Sequence, residues 1–325
     1  MDRRTLLAAL YLALPVPAGA QRARAPTIGY LLVTPLSEPP SGERQAFLDG
    51  LRAFGRVPGR NLVIVYASAE GHPEFVDDVA RDLVLRKPDV IVASGAVAVL
   101  AARRATAQIP VVIMAVGDPV GIGAVRSLSH PDGNVTGVSF ISSDLAGKRV
   151  QLMADMLPAL RRVAVMWDPR NANAQSEVNA TFAAIARLGI DGARFPIGAE
   201  SGIAAVLERI GAQRQDALYV AFEGGTVMEY RTTIAEFGLR QRLPVVSGWG
   251  LLTDAGGLLS YAPDLPAMFR RSAYYVHRIL EGAAPQDLPV EQASTVEMVI
   301  NMKTAKALGI AVPPSLLLRA DRVIQ

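Results

Sequence analysis

The sequence predicts an α/β protein of two lobes, each built on a parallel sheet, and three observations predict it. Short apolar runs alternate with helix-patterned segments over about 300 residues after Pro26. The runs are continuously apolar, as strands buried on both faces require. The cadence then goes round twice, and half of the 325 residues are apolar while 19% are charged, enough for a sizeable core.

The elements follow in order. Residues 27–33 (TIGYLLV) form the first strand, 35–40 a loop, and Ser41 caps a helix to Phe54. Residues 62–66 are the second strand, and 73–86 a helix with Val76, Val79, Leu83 and Val84 on one face. Residues 89–93 (DVIVA) are the third strand, stopped by Ser94-Gly95; 96–106 is an Ala-rich helix and 111–115 the fourth strand. Each crossover carries a helix, so the sheet is parallel.

A second round begins with a helix over 143–157, then a strand at 162–167, a helix at 173–188 and a strand at 193–195. It continues with a helix at 201–210, a strand at 217–221, a helix at 226–241 and a strand at 244–247. The tail adds an extended segment at 256–261, a long helix at 265–281, a strand at 296–300 and a short helix at 302–308. These extra units fit a chain that returns to the first lobe and crosses over again. Segments 136–140, 252–261 and 288–295 are then the three linkers of one hinge. The resulting boundaries are 26–138 plus 258–284 for the N-terminal lobe and 139–257 plus 285–325 for the C-terminal lobe.

The first 20 residues stand apart. Arg3-Arg4 precede an apolar run over 6–16, and Ala18-Gly19-Ala20 places small residues before Gln21, the pattern of a cleaved secretory signal. The run is too short for a permanent membrane anchor, which needs about 20 apolar residues. The arginine pair fits ordinary secretion and the twin-arginine route alike. An exported, periplasmic location follows as the expectation.

Composition narrows the chemistry. The net charge is +3, and Arg103-Arg104, Arg161-Arg162 and Arg270-Arg271 are isolated pairs with no interleaved aromatics, so nucleic acid is not the expected partner. With no cysteine there is no disulfide, thiolate zinc site or cysteine nucleophile. His72, His130 and His277 have no ligand spacing, so no metal is expected. Phosphate-loop, nucleophile-elbow and zincin motifs are absent from the sequence, and no cofactor is implied.

Several stretches resemble the exported ABC-transporter substrate-binding proteins, a family that includes tryptophan- and tyrosine-binding members. They are IGYL (28–31), FLDGLRAFGRVPGRNLVI (47–64), DVIVASG (89–95), IPVVIMAVGDPVGIGAV (109–125) and PDGNVTGVS (131–139). In the second half GGLLSYAPD (256–264), LEGAAPQDLPVEQ (280–292) and INMKTAKALGIAVPPSLLLRAD (300–321) carry the same likeness. Asp132 stands where the family usually has glycine. The resemblance implies a type I periplasmic binding fold: two Rossmann-like lobes joined by a three-segment hinge, holding a small ligand between them. It also implies docking to an ABC permease whose ATPase subunits are separate chains, and a monomeric binding protein that touches the membrane complex peripherally.

Ligands of open α/β sheets sit beyond the carboxyl ends of the strands, where helix N-termini point N–H groups outward. That rule selects Thr34, then Ser94, Gly95 and Ala96, then Asp118 in the first lobe. In the second it selects Asp168 to Asn171, Phe222 with Glu223, and Ser247 with Trp249. Ser94 with Thr34 suits a carboxylate; Glu223 or Asp118 suits an ammonium. Trp249, Phe140 and Phe222 suit an apolar or aromatic side chain, and Tyr261 either lines the cleft or packs in the hinge. Each has a structural alternative: Ser94 as a helix cap, Asp118 as a turn former, Glu223 as a carboxylate favoured by a helix start. In similar amino-acid-binding proteins an acidic residue beyond a second-lobe strand holds the amine, and Glu223 fits that position.

Two other functions stay open from the residues. A ligand-presenting sensory subunit would have the same fold and pocket. A secreted hydrolase would need a base beside Ser94, and His130 lies in a loop rather than at a strand end, so no catalytic residue is assigned.

Overall fold

The computed structural model describes residues 24–140, 142–197, 202–221, 226–293 and 295–325. The expected secretory signal, Phe222 and Glu223 lie outside the described residues. The first lobe opens with β1 (Thr27–Leu32), α1 (Gly42–Ala53) and β2 (Val63–Ser68). It goes on, after a 3-10 turn at Pro73–Phe75, with α2 (Val76–Leu85), β3 (Val90–Ser94), α3 (Ala96–Ala105), β4 (Val111–Val116) and β5 (Val135–Ser139). The strands lie in the order β2-β1-β3-β4-β5, all parallel.

The second lobe repeats the plan with α4 (Ser142–Met156), β6 (Arg162–Trp167), α5 (Ala172–Arg187), β7 (Asp191–Pro196) and α6 (Gly202–Gly211). Then come β8 (Ala217–Val220), α7 (Thr226–Glu229), α8 (Arg231–Gln241), β9 (Val245–Ser247), α9 (Gly250–Asp254) and β10 (Leu259–Pro263). The chain returns to the first lobe for α10 (Leu265–Leu280), which packs along α1 and over β4 and β5, and for β11 (Glu291–Gln292), which pairs with β5. It ends in the second lobe with β12 (Val296–Asn301), α11 (Met302–Leu308), α12 (Pro314–Leu317) and β13 (Arg322–Ile324). The second sheet reads β7-β6-β8-β9-β10-β12-β13. These are the two interleaved α/β lobes of a type I periplasmic binding fold.

Sheet membership moves the expected crossings. β10 pairs with β9 and β12, so the chain leaves the second lobe at Asp264 and not at 258. Residues 285–292 stay with the first lobe: Thr136 Oγ1 donates to the Leu288 carbonyl at 2.6 Å and β11 extends the first sheet. The expected linker 136–140 is mostly strand β5, and 252–261 is helix, turn and strand, because their buried faces pair and pack. The second sheet is not wholly parallel, since β12 runs antiparallel to β10. The single helix expected over 226–241 is two, α7 and α8, separated at Tyr230.

Local chemistry sets the ends. Ser41 Oγ accepts from the Arg44 N–H at 3.3 Å, the Asp264 carboxylate from Ala267 N–H at 2.9 Å, and Asn301 Oδ1 from Thr304 N–H at 3.1 Å, each starting a helix. The continuous apolar runs are explained by two-sided burial: Val90 and Val92 belong to one buried cluster, Ile91 and Ala93 to another. At the α1–α10 contact, a Cβ on Gly50 would stand 2.6 Å from the Arg270 carbonyl oxygen, so the two helices approach at backbone distance. Inside the first sheet Gly137 has φ +135°, and a Cβ there would meet the Ile113 backbone N and O at 2.5 Å. Gly137→Ala is therefore expected to destabilise the fold by about 2–4 kcal/mol, read from urea unfolding midpoints at constant m.

Candidate functional site

All three crossings leave or rejoin the sheets at the carboxyl edge of the strands. β5 runs out of the first sheet into α4, β10 out of the second into α10, and β11, parallel to β5, out of the first into β12. The two carboxyl edges therefore face each other across the crossings, and register aligns the expected site residues along them. Ser94 pairs with Met114, and Val116 with Ser139; in the second sheet Met166 pairs with Val220, Val220 with Ser247, and Ser247 with Ser260.

On the first wall Thr34 is exposed, and its carbonyl accepts from Ser68 Oγ at 2.8 Å. Ser94 is half-buried at the end of β3, and Gly95, at φ +81°, takes the N-cap position of α3. No side chain caps α3, so the helix-cap alternative for Ser94 is not what the structure has, and the first N–H groups of α3 stay available. Ala96, 8% exposed, opens that helix. Asp118 takes its turn-forming alternative: its Oδ1 accepts from Gly121 N–H at 2.8 Å, and the turn closes through Ile122 N–H to the Asp118 carbonyl at 3.1 Å. A Cβ on Gly121 would fall 2.1 Å from Asp118 Oδ2, so the glycine is what lets the carboxylate fold back. Phe140, 2% exposed, is a core residue whose N–H donates to the Val116 carbonyl at 3.0 Å.

On the second wall Asn171 is half-buried, and its N–H donates to the Asp168 carbonyl at 3.1 Å ahead of α5. Ser247 is buried and its Oγ accepts from Trp249 N–H at 3.1 Å. Trp249, 8% exposed, stands before α9 and shares a buried cluster with Phe140, Val220 and Leu252. Tyr261 is half-buried on β10.

Two features near this edge have little or no sequence signal, and a third lies within 168–171, where the strand-end rule points without showing its ion pair. Ala115 adopts φ +57° at an irregularity in β4 between Met114 and Val116, turning the chain into the Asp118 loop. Nothing in an apolar strand marks a bulge of that kind. Asp168, nearly buried after β6, holds Arg170 through both carboxylate oxygens, with Arg170 Nε at 2.9 and 3.1 Å. Across the edge, the backbone N–H of Glu74 holds its own carboxyl below the usual carboxylate range; His72 and the second-lobe Arg170 act in the same direction. Finally, Arg149 and Glu177 form a fully buried ion pair at 2.8 Å behind Tyr261. Their signal is weak, because Arg149 follows Lys148 in a helix that also carries Asp144 and Asp155, and nothing in the sequence ties it to Glu177.

Among the described residues no cluster of histidine and carboxylate side chains is disposed to hold a metal, and no helix is long and apolar enough to cross a membrane. The ABC transporter substrate binding protein family matches residues 35–324. The chain belongs to that family. Its members are ligand-binding proteins, not enzymes. This family member is 25% identical over 281 residues to the tyrosine-binding protein of Clostridioides difficile, covering 86% of this chain and 80% of that one. Its fold matches a conserved domain protein from Vibrio cholerae with TM-score 0.86 at 29% identity, over 92% of this chain and all of that one (100%). It also matches a domain from Streptococcus pneumoniae solved in complex with L-Trp, with TM-score 0.85 at 27% identity, over 92% and 99% of the two chains.

The uncapped start of α3 makes a sharp expectation for this substrate-binding protein. Ser94→Ala should leave unfolding free energy within about 0.5 kcal/mol of the parent, where loss of a true cap costs about 1 kcal/mol. Thermal or urea unfolding of the ligand-free protein distinguishes the two.

Proposed function

We propose that this protein is an exported solute receptor that captures an amino acid, an aromatic one foremost or else a small organic acid, between its lobes. It then hands the ligand to an ABC importer. The observation that carries the reading is the family match over residues 35–324 on a fold whose two carboxyl strand edges face one another. The likeness to a tyrosine-binding protein and to a domain solved with L-Trp supports an aromatic amino acid. The partner is a permease with separate ATPase subunits, met by a monomer at the membrane surface. Residues 1–20 serve as the signal cleaved near Ala20, placing the mature chain in the periplasm.

In this reading the carboxylate of the ligand meets the α3 N-terminus at Ser94, Gly95 and Ala96, with Thr34 beside it. Glu223 takes the ammonium, as a charge-assisted bond in an enclosed site. Phe222 and Trp249 flank the side chain, with Phe140 and Tyr261 behind it, and Asp118, Asn171 and Ser247 shape the rims. The ligand binds one wall first and draws the other onto it, its preference for the closed form setting the population shift.

Calorimetric titration of the mature protein with L-Trp, L-Tyr, L-Phe and benzoate-type acids tests this. Saturable binding of at least one is expected, and no heat or thermal stabilisation from any of them would reject the proposal. Glu223→Ala should weaken an amino-acid ligand by about 2 kcal/mol or more, roughly thirtyfold, while an aromatic acid without an amine loses little.

A further inference from the structure

Between α4, α5, β8 and β10 lies a group of polar side chains closed off from solvent. Arg149 and Glu177 are each 0% exposed, as is Tyr219, and Ser142 is 2% exposed. Arg149 Nε donates to the Tyr261 carbonyl at 2.7 Å. Its Nη1 donates to the Ser142 carbonyl at 3.2 Å, to Ser142 Oγ at 3.2 Å and to Glu177 Oε1 at 2.8 Å. The Tyr219 hydroxyl donates to the same Glu177 oxygen at 2.8 Å, and Ser142 Oγ donates to Glu177 Oε2.

The placement of the two carbonyls is what matters. Ser142 is the first residue of α4, where the chain enters the second lobe after β5. Tyr261 lies on β10, just before the chain leaves that lobe at Asp264. One guanidinium thus holds the incoming and outgoing crossings together. The third crossing is laced to both by backbone: Ala293 N–H donates to the Ser139 carbonyl at 2.7 Å, and Asp264 N–H to the Thr295 carbonyl at 3.1 Å.

Stability does not explain such a device. A buried ion pair is often matched or bettered by an apolar pair of equal volume, because desolvation offsets the attraction. An apolar pair, however, has no direction. The planar arginine fork fixes two acceptors at a set separation, which neither lysine nor methionine can do.

The geometry points to Arg149 as a positioning residue of the hinge: it fixes the spacing of the two crossings, so the lobes turn about them as rigid bodies toward one closed form. This rests on the reading of the protein as a receptor that closes on its ligand. The chain has no cysteine, so Asp78→Cys in α2 and Asn179→Cys in α5, both exposed, carry one spin label on each lobe. Interlobe distances are then measured by pulsed electron paramagnetic resonance, without ligand and with L-tryptophan.

In Arg149→Lys, and in the charge-free Arg149→Met/Glu177→Leu, the ligand-free distance distribution is expected to widen by about twofold while circular dichroism stays native. The Kd for L-tryptophan should rise about tenfold or more. Lysine keeps the charge opposite Glu177 but not the second arm, so it should not rescue either readout. Unchanged width in a folded double variant, or full rescue by lysine, overturns the inference. Should the double variant not fold, Arg149→Lys alone decides the inference by the same two readouts, because it keeps the charge and loses one of the two arms to the Ser142 and Tyr261 carbonyls. Wild-type protein that binds none of the probes rejects the functional reading alone, because the ligand-free width still decides this one.

Discussion

The structure depends on one topological constraint: every passage between the lobes occurs at the carboxyl edge of a strand. A parallel sheet with helical crossovers leaves that edge free of covering helices and surrounds it with helix starts. Because β5, β10 and β11 all run out at that edge, the two open edges are forced to oppose one another. The facing walls follow from connectivity rather than from any special contact. Side chains then refine what the topology has made: glycine where backbones crowd, as at Gly50 and Gly137, and an uncapped helix start at Gly95.

Much of the fold was legible because burial on both faces writes itself as unbroken apolar runs. The strand over 162–167 and the helix over 302–308 have the bounds that the sequence predicts, and most others shift by a residue or two. The failures share a cause. Strand β5 (VTGVS) is short, with Thr136, Gly137 and Ser139 among its five residues, so it read as a linker; only its place between β4 and β11 makes it a strand. β13 (RVI), half-exposed at the sheet edge, gave no apolar run at all. The direction of β12 was hidden as well, since a strand reads alike in either orientation.

The site was less legible, because a strand-end rule locates loops and does not say which atoms are free. Ser94 and Asp118 each carry a ligand reading and a local one from the sequence, a helix cap for Ser94 and a turn for Asp118. The structure separates them: Asp118 is occupied by the Gly121 N–H, whereas the helix beyond Ser94 has no side-chain cap. Trp249 between two glycines suits the cleft; in the structure its N–H donates to Ser247 Oγ and it shares a buried cluster with Leu252. Arg149 and Glu177 escaped notice because charges on an amphipathic helix, such as the Lys148-Arg149 pair, read as its solvent face. They meet only through the packing of α4 on α5.

The return of α10 to the first lobe governs the order in which the molecule can be completed. Arg270 closes against Gly50 from 220 residues further along the chain, and the helix it belongs to covers β4 and β5. Until that helix emerges, Phe47 and Leu51 have no roof, and the strands laid down first wait beside an unfinished hydrophobic surface. The lobe that begins the polypeptide is finished only after the central strands of the other have all been made. The second lobe is completed later still, by β12 and β13, so each lobe is closed by a segment made after the other has begun.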